Sequence, residues 1–169
     1  MKNFKTLLII AVLSLGVSSA VNAQKVAHIN FELLIASMPQ TKTLQSDMEK
    51  LQKTYQDEIK TLAQKLESKI KKYTAEQATQ TQTINEQRAQ EVQQDRARIQ
   101  QAEQEAYQDM QKRQADRLNP IVELAQKTVK EVAAAKGAIY VLDASAGKGL
   151  LVFDKGEDLF GAVKTKLGF

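Results

Sequence analysis

The chain has 169 residues, with 24 Lys and Arg against 20 Asp and Glu, 43% hydrophobic residues and only 5% aromatic ones. It has no cysteine, no tryptophan and a single histidine, His28. That removes disulfides, thiol chemistry, Cys/His zinc sites and any nucleophile–histidine pair not built on His28. Few aromatics and only seven Gly and two Pro also argue against a large globular core or a turn-rich sandwich.

The first residues read as an address. Lys2 and Lys5 precede an apolar run over 6–17, and Val21-Asn22-Ala23 fits the small-residue cleavage rule. This predicts a secretory signal peptide over 1–23, cut after Ala23, with Gln24 as the first mature residue. Twelve apolar residues are too few for a membrane span, which needs roughly 20. The mature chain is expected to be exported, and its net charge falls to +2 (22 basic minus 20 acidic). Such a weak field does not suggest polyanion binding, so no nucleic-acid partner is expected.

Residues 26–31 read as a strand, with Ala27, Ile29 and Phe31 alternating against Val26, His28 and Asn30. A helical turn over 32–37 should end near Met38-Pro39. From Leu44 the pattern changes to Leu44, Met48, Leu51, Tyr55, Ile59, Leu62, Leu66, Ile70 and Tyr73. The columns Leu44/Tyr55/Leu66 and Met48/Ile59/Ile70 repeat every eleven residues, which over three turns is close to the natural helical period. A long, nearly straight helix follows.

Residues 74–104 are polar, with ten Gln and few large apolar residues (Ile84, Val92, Ile99). No Pro or Gly occurs between 40 and 119, and Gln, Glu, Arg and Ala favour helix. The helix should therefore continue and turn within Thr79-Gln80-Thr81-Gln82-Thr83, where β-branched residues cluster. The eleven-residue period then returns in the column Ile99, Met110, Ile121 and Val132. Residues 50–72 carry a net +4 and residues 76–109 a net −4, which predicts attraction between two antiparallel legs. At ~1.5 Å per residue the legs would reach roughly 50 Å.

Asn119-Pro120 should kink the returning helix or start a new one, and Gly137 should end it. A strand over 139–142, a turn over 143–149 and a strand over 150–153 follow. Asp154 with Glu157 suits a capping box. It would open a last amphipathic helix on Leu159, Phe160, Val163 and Leu167. The fold class is thus mostly α with a small β body. A helical hairpin (44–117) is inserted in a small α+β body made of 24–43 and 118–169. About 70 residues are marginal for a lone core, which predicts oligomerisation through the body.

Lys25-Val26-Ala27-His28-Ile29-Asn30, Gln94-Asp95-Arg96-Ala97-Arg98 and Ala138-Ile139-Tyr140-Val141-Leu142-Asp143-Ala144 make the chain resemble the Skp/OmpH family of periplasmic chaperones. The resemblance covers the mature chain. It implies a jellyfish-like homotrimer with three helical tentacles around a cavity. It further implies ATP-independent holding of unfolded outer-membrane proteins in the periplasm, with no catalytic residue to carry over; no cofactor and no metal are expected. A transient contact with a membrane surface is a further expected partner. The alternative is a periplasmic coiled-coil spacer or adaptor without such activity.

His28 has no second His, Cys or acidic cluster beside it and reads as an ordinary strand residue. Gly147-Lys148-Gly149 lacks the rest of a phosphate loop and reads as a turn. Leu44, Met48, Leu51, Tyr55, Ile59, Leu62, Leu66, Ile70, Ile99 and Met110 are assigned to the seam of the hairpin. Ile29, Phe31, Ile139, Val141, Leu151 and Phe153 are assigned to the body core and trimer contacts. Tyr73, Ile84 and Val92, where the seam thins, are assigned to contact with clients. That thinning also predicts a flexible distal prong.

Overall fold

The structure is a computed structural model, and it describes residues 25–148 and 155–169. Its elements are β1 (Val26–Ile29), α1 (Phe31–Ser37), α2 (Pro39–Glu76), a 3₁₀ turn (Gln77–Thr79), α3 (Gln82–Ala135), β2 (Tyr140–Asp143), β3 (Glu157–Asp158) and α4 (Phe160–Leu167).

The expected strand over 26–31 is shorter, and Phe31 is not part of it. Asn30 lies in extended backbone and its side chain accepts a 2.8 Å hydrogen bond from the Leu33 N–H, so it caps a helix that Phe31 begins. Burial does not alternate as expected: Ala27, His28 and Ile29 are all buried. Pro39 was expected to close the first helical turn, and it does so by opening the next helix. Its missing donor costs nothing at the first helical position, so α2 begins five residues before Leu44.

The turn between the legs falls at 77–81, overlapping the Thr-rich stretch 79–83 but beginning two residues before it, and Gln82 and Thr83 already belong to the next helix. The Thr81 hydroxyl caps α3 by accepting from the Ile84 N–H. α3 then runs for 54 residues with Pro120 inside it. No new helix starts at Asn119, because the apolar column Ile121, Ala125, Val132 continues on the same buried face. The helix ends in a Schellman motif. Gly137 sits at φ 69°, its N–H donates to Ala134 O, and the Ala138 N–H donates to Ala133 O at 3.0 Å.

β1 is the central strand of a parallel sheet ordered β2-β1-β3. Val26 pairs with Tyr140 and His28 with Leu142, while Ala27 pairs with Val141 and Glu157. The chain leaves β1, travels the whole hairpin and returns to lie beside it. Ala27 and Ile29 face the helices, where they meet a core whose largest wholly buried side chains are Leu34, Met38, Leu159 and Val163. The other face carries Val26, Tyr140 and Leu142, all exposed. Among the described residues, β2 is an edge of the sheet.

Two expectations for the last segment change. The strand over 150–153, with Leu151 and Phe153, lies outside the described residues. Glu157, expected in a capping box with Asp154, is instead a strand residue. Its carboxylate accepts from Lys25 at 2.6 Å and from Lys136, so it is committed to tying β3 to β1 and to the end of α3. The N-cap position is Leu159, which has no side-chain cap bond, and Asp158 just before it accepts from the Phe160 N–H at 2.8 Å.

Candidate functional site

The hairpin formed by α2 and α3 is the largest feature of the molecule. Its legs are held in one register from root to tip. Asp47 pairs with Arg117 (2.7 Å), Tyr55 with Asp109 (2.6 Å), Lys69 with Asp95, Tyr73 with Glu91 (2.6 Å) and Glu76 with Arg88 (2.6 Å). The residue numbers of every pair total 164, so the legs align without a slip.

The charge argument for leg pairing changes with this register. Residues 50–72 lie opposite 92–114, which hold four acidic and four basic residues and so carry no net charge. The −4 seen in sequence was gathered partly from the tip. Attraction between the legs is therefore local, carried by a few placed pairs. It leaves Lys50, Lys53, Lys60, Lys65, Lys71 and Lys72 exposed on α2.

Between these pairs runs the apolar seam. Leu44 is buried, while Met48, Leu51, Tyr55, Ile59, Leu62, Leu66, Ile70, Ile99 and Met110 are half-buried. Two helices alone cannot cover a seam on all sides, so each residue keeps one flank in water. Opposite the middle of α2, α3 supplies the small residues Ala102 and Ala106, and Ala106 is buried.

Toward the tip, polar contacts replace apolar ones. The Arg88 guanidinium stacks 4.5 Å from the centre of the Tyr73 ring and pairs with Glu76. The Tyr73 hydroxyl donates to Glu91, and the Asn85 amide donates to Gln77 O at 3.0 Å. Hydrogen bonds set the ionisation here. The bond to Glu91 raises the Tyr73 hydroxyl pKa, and the bond from Lys69 lowers that of Asp95. Lower on the shaft, Tyr55 is likewise raised by its bond to Asp109, whose carboxyl is lowered by the same bond. Of the three residues assigned to clients, Tyr73 is engaged inside this clasp and Val92 is half-buried. Ile84 is exposed.

At the root of the hairpin a cleft of about 700 Å³ opens between α1, α2 and α3. Phe31, Ile35, Leu44, Met48, Met110 and Leu118 give it an apolar floor, with Glu32, Glu49, Asp143 and Lys148 around it. Its wall is fixed by a polar junction. Asp143 accepts from the Phe31 N–H (3.3 Å) and the Ser145 N–H (2.9 Å), and the Ser145 hydroxyl accepts from the Glu32 N–H (3.0 Å). Burial alone would raise the Asp143 carboxyl, but these donors outweigh it and leave it lowered. On the body, Ile29 is core, Val141 packs against that core, Phe31 is half-buried and Ile139 is exposed.

Among the described residues, no cluster of His, Cys, Asp or Glu could hold a metal ion. Among them, no helix is long and apolar enough to cross a membrane. What the geometry offers is a long polar rod with a half-open apolar seam, set on a small body.

A family model described as outer membrane protein (OmpH-like) matches residues 25–167. The chain belongs to the OmpH-like family. The members of that family are chaperones and not enzymes. A chaperone-type role follows for this chain. Among solved structures the fold is similar to a Caulobacter crescentus protein described provisionally as an OmpH-like outer membrane chaperone. The TM-score is 0.76 at 17% identity, over 84% of this chain and 82% of that one. At that identity the likeness concerns the fold. No curated protein matches the sequence at a significant level.

The stacked, ion-paired Arg88 and the three-way ion cluster at Glu157 were not read from sequence. A register rule could have found the first, since Tyr73, Glu76, Arg88 and Glu91 are symmetric about the tip. Nothing local marks Glu157, whose partners lie 132 and 21 positions away.

Proposed function

We propose that this OmpH-like chain is an ATP-independent holdase of the periplasm. It binds unfolded outer-membrane β-barrel proteins between the helical prongs of a homotrimer and keeps them from aggregating. Residues 1–23 are its export signal, cleaved after Ala23. The observation that carries the reading is the hairpin itself: some 50 Å of paired helix whose seam is half-covered along almost its whole length.

Self-association is supported by the body. Val26, Tyr140 and Leu142 are exposed on one sheet face, and β2 is an edge strand among the described residues, which together offer a surface for a second copy. Several prongs on one body would surround a client. Many weak contacts then sum, because each is made at the high effective concentration set by the others. Release needs no nucleotide when each contact is weak and insertion of the client into its membrane is downhill.

The test is mass measurement of the purified mature chain with and without a urea-unfolded outer-membrane β-barrel protein, in the absence of ATP. The reading expects a trimer alone and a trimer–client complex after mixing. A monomer, or an assembly that never takes up client, contradicts it; an assembly that stays empty favours the spacer reading.

A further inference from the structure

The face of α3 turned away from α2 has one composition. From Gln90, steps of 3, 4, 4, 3, 4, 3 and 4 residues reach Ala115 and land on six glutamines and two alanines. The mean step is about 3.6 residues, so these positions form a single stripe. All eight are exposed. The nine charged residues within 90–115, among them Glu91, Asp95, Arg96 and Glu103, all fall off the stripe. The outward face of α2, by contrast, carries the six exposed lysines.

A solvated helix face normally mixes charges to stay soluble, so a neutral stripe some 38 Å long, between charged flanks, requires a reason. It is too polar to lie in a membrane and too neutral to hold nucleic acid. Its chemistry matches a peptide backbone. Each glutamine amide offers two donors and an acceptor on a flexible stem, and an extended chain offers N–H and C=O groups along its length. We infer that this stripe is the surface on which an unfolded, extended polypeptide lies, held through its peptide groups. The inference rests on the holdase reading and names the surface that reading leaves unassigned.

Three properties follow. Recognition of peptide groups ignores the client's sequence. A neutral surface selects no client charge, and salt does not screen it. Each amide contact is individually weak, so the client stays mobile and can be released. The Gln101 side chain already donates to Glu105 at 2.8 Å, so that glutamine keeps only part of its capacity free.

The experiment compares the intact parent with two multiple variants. One carries Gln93→Ala, Gln101→Ala, Gln104→Ala and Gln108→Ala; the other carries Lys53→Ala, Lys60→Ala and Lys71→Ala. Alanine preserves helix in both. Affinity for a urea-unfolded β-barrel protein is read at low and high salt. The glutamine variant should bind about tenfold more weakly at either salt, and the lysine variant within about twofold of the parent. A glutamine variant that binds like the parent overturns the inference. So does one that changes the mass of the assembly instead, since the stripe would then join copies of this chain. Should the glutamine variant lose helix by circular dichroism, a photo-crosslinker placed singly at Gln104 or Lys60 decides. Client adducts at 104 and not at 60 uphold the stripe, and the reverse overturns it. A parent that binds no client at all fells the holdase reading first, and this inference with it.

Discussion

The body and the prong of this molecule are stabilised by different physics. The body buries Leu34, Met38, Leu159 and Val163 completely and fastens its corners with Asn30, Asp143 and Gly137. The prong beyond its root keeps almost every apolar residue half in water and relies on a ladder of polar pairs to hold register. Area removed from water is what gives a domain its net stability. The body is therefore the anchor, and the prong the part that opens locally at least cost.

The largest effect that would sharpen this contrast belongs to the body. Leu34→Ala removes a wholly buried side chain and should cost about 3 kcal/mol, within the range for buried leucines, measured by chemical denaturation. The same change at Leu62, half-exposed on the prong, should cost less than half as much; equal costs would erase the distinction.

Next comes Gly156→Ala. A Cβ there would stand 2.8 Å from Val26 O, and neither backbone can yield without disturbing the β1–β3 pairing. The expected cost is about 1–3 kcal/mol, with amide exchange accelerated at Ala27 and His28 but unchanged at Leu62.

Acid should strike both regions, but Glu157 dates its effect on the body. Its carboxyl is held down from 4.5 to about 2 by hydrogen bonds from Lys136 and Lys25. A lowered folded-state pKa gives stability that is complete above the unfolded value and is lost as the pH falls. The difference in stability between the parent and Glu157→Gln should therefore shrink between pH 4.5 and about pH 2. A difference independent of pH across that window would show that the ion cluster is not what ties β3 down.

The smallest global effect is expected from Arg88→Ala at the tip. Exposed ion pairs add little to overall stability, so the melting temperature should hardly move. Hydrogen exchange over 73–91 should accelerate, because the stack on Tyr73 and the pair with Glu76 are lost together. An unchanged exchange rate would mean that the turn, and not the clasp, closes the tip.

The prong was more legible in sequence than the body. An eleven-residue period needs only local spacing, so both legs and the tip near residue 80 could be read from one chain. The continuity of α3 through Pro120 could not, because it depends on Ile121, Ala125 and Val132 meeting a core built from distant segments. The same holds for the sheet. β3 is two residues long and its strand character comes from pairing with β1, while its sequence, Glu157-Asp158, reads as the opening of a helix. Tyr73 shows the limit at the level of the site: sequence marks a tyrosine where the seam thins, but the hydroxyl bond to Glu91 across from it and the Arg88 stack on its ring depend on the register of the two legs.

If the body anchors and the prong holds, bound client should leave its mark in only one of them. Hydrogen exchange of the intact assembly, with and without an unfolded outer-membrane β-barrel protein, reads both regions at once. The account predicts slowed exchange along α2 and α3 between residues 49 and 115, with Ala27–Ile29 of the sheet and Val163 of the last helix unchanged. Protection confined to the body, or no protection anywhere while client remains soluble, would contradict it.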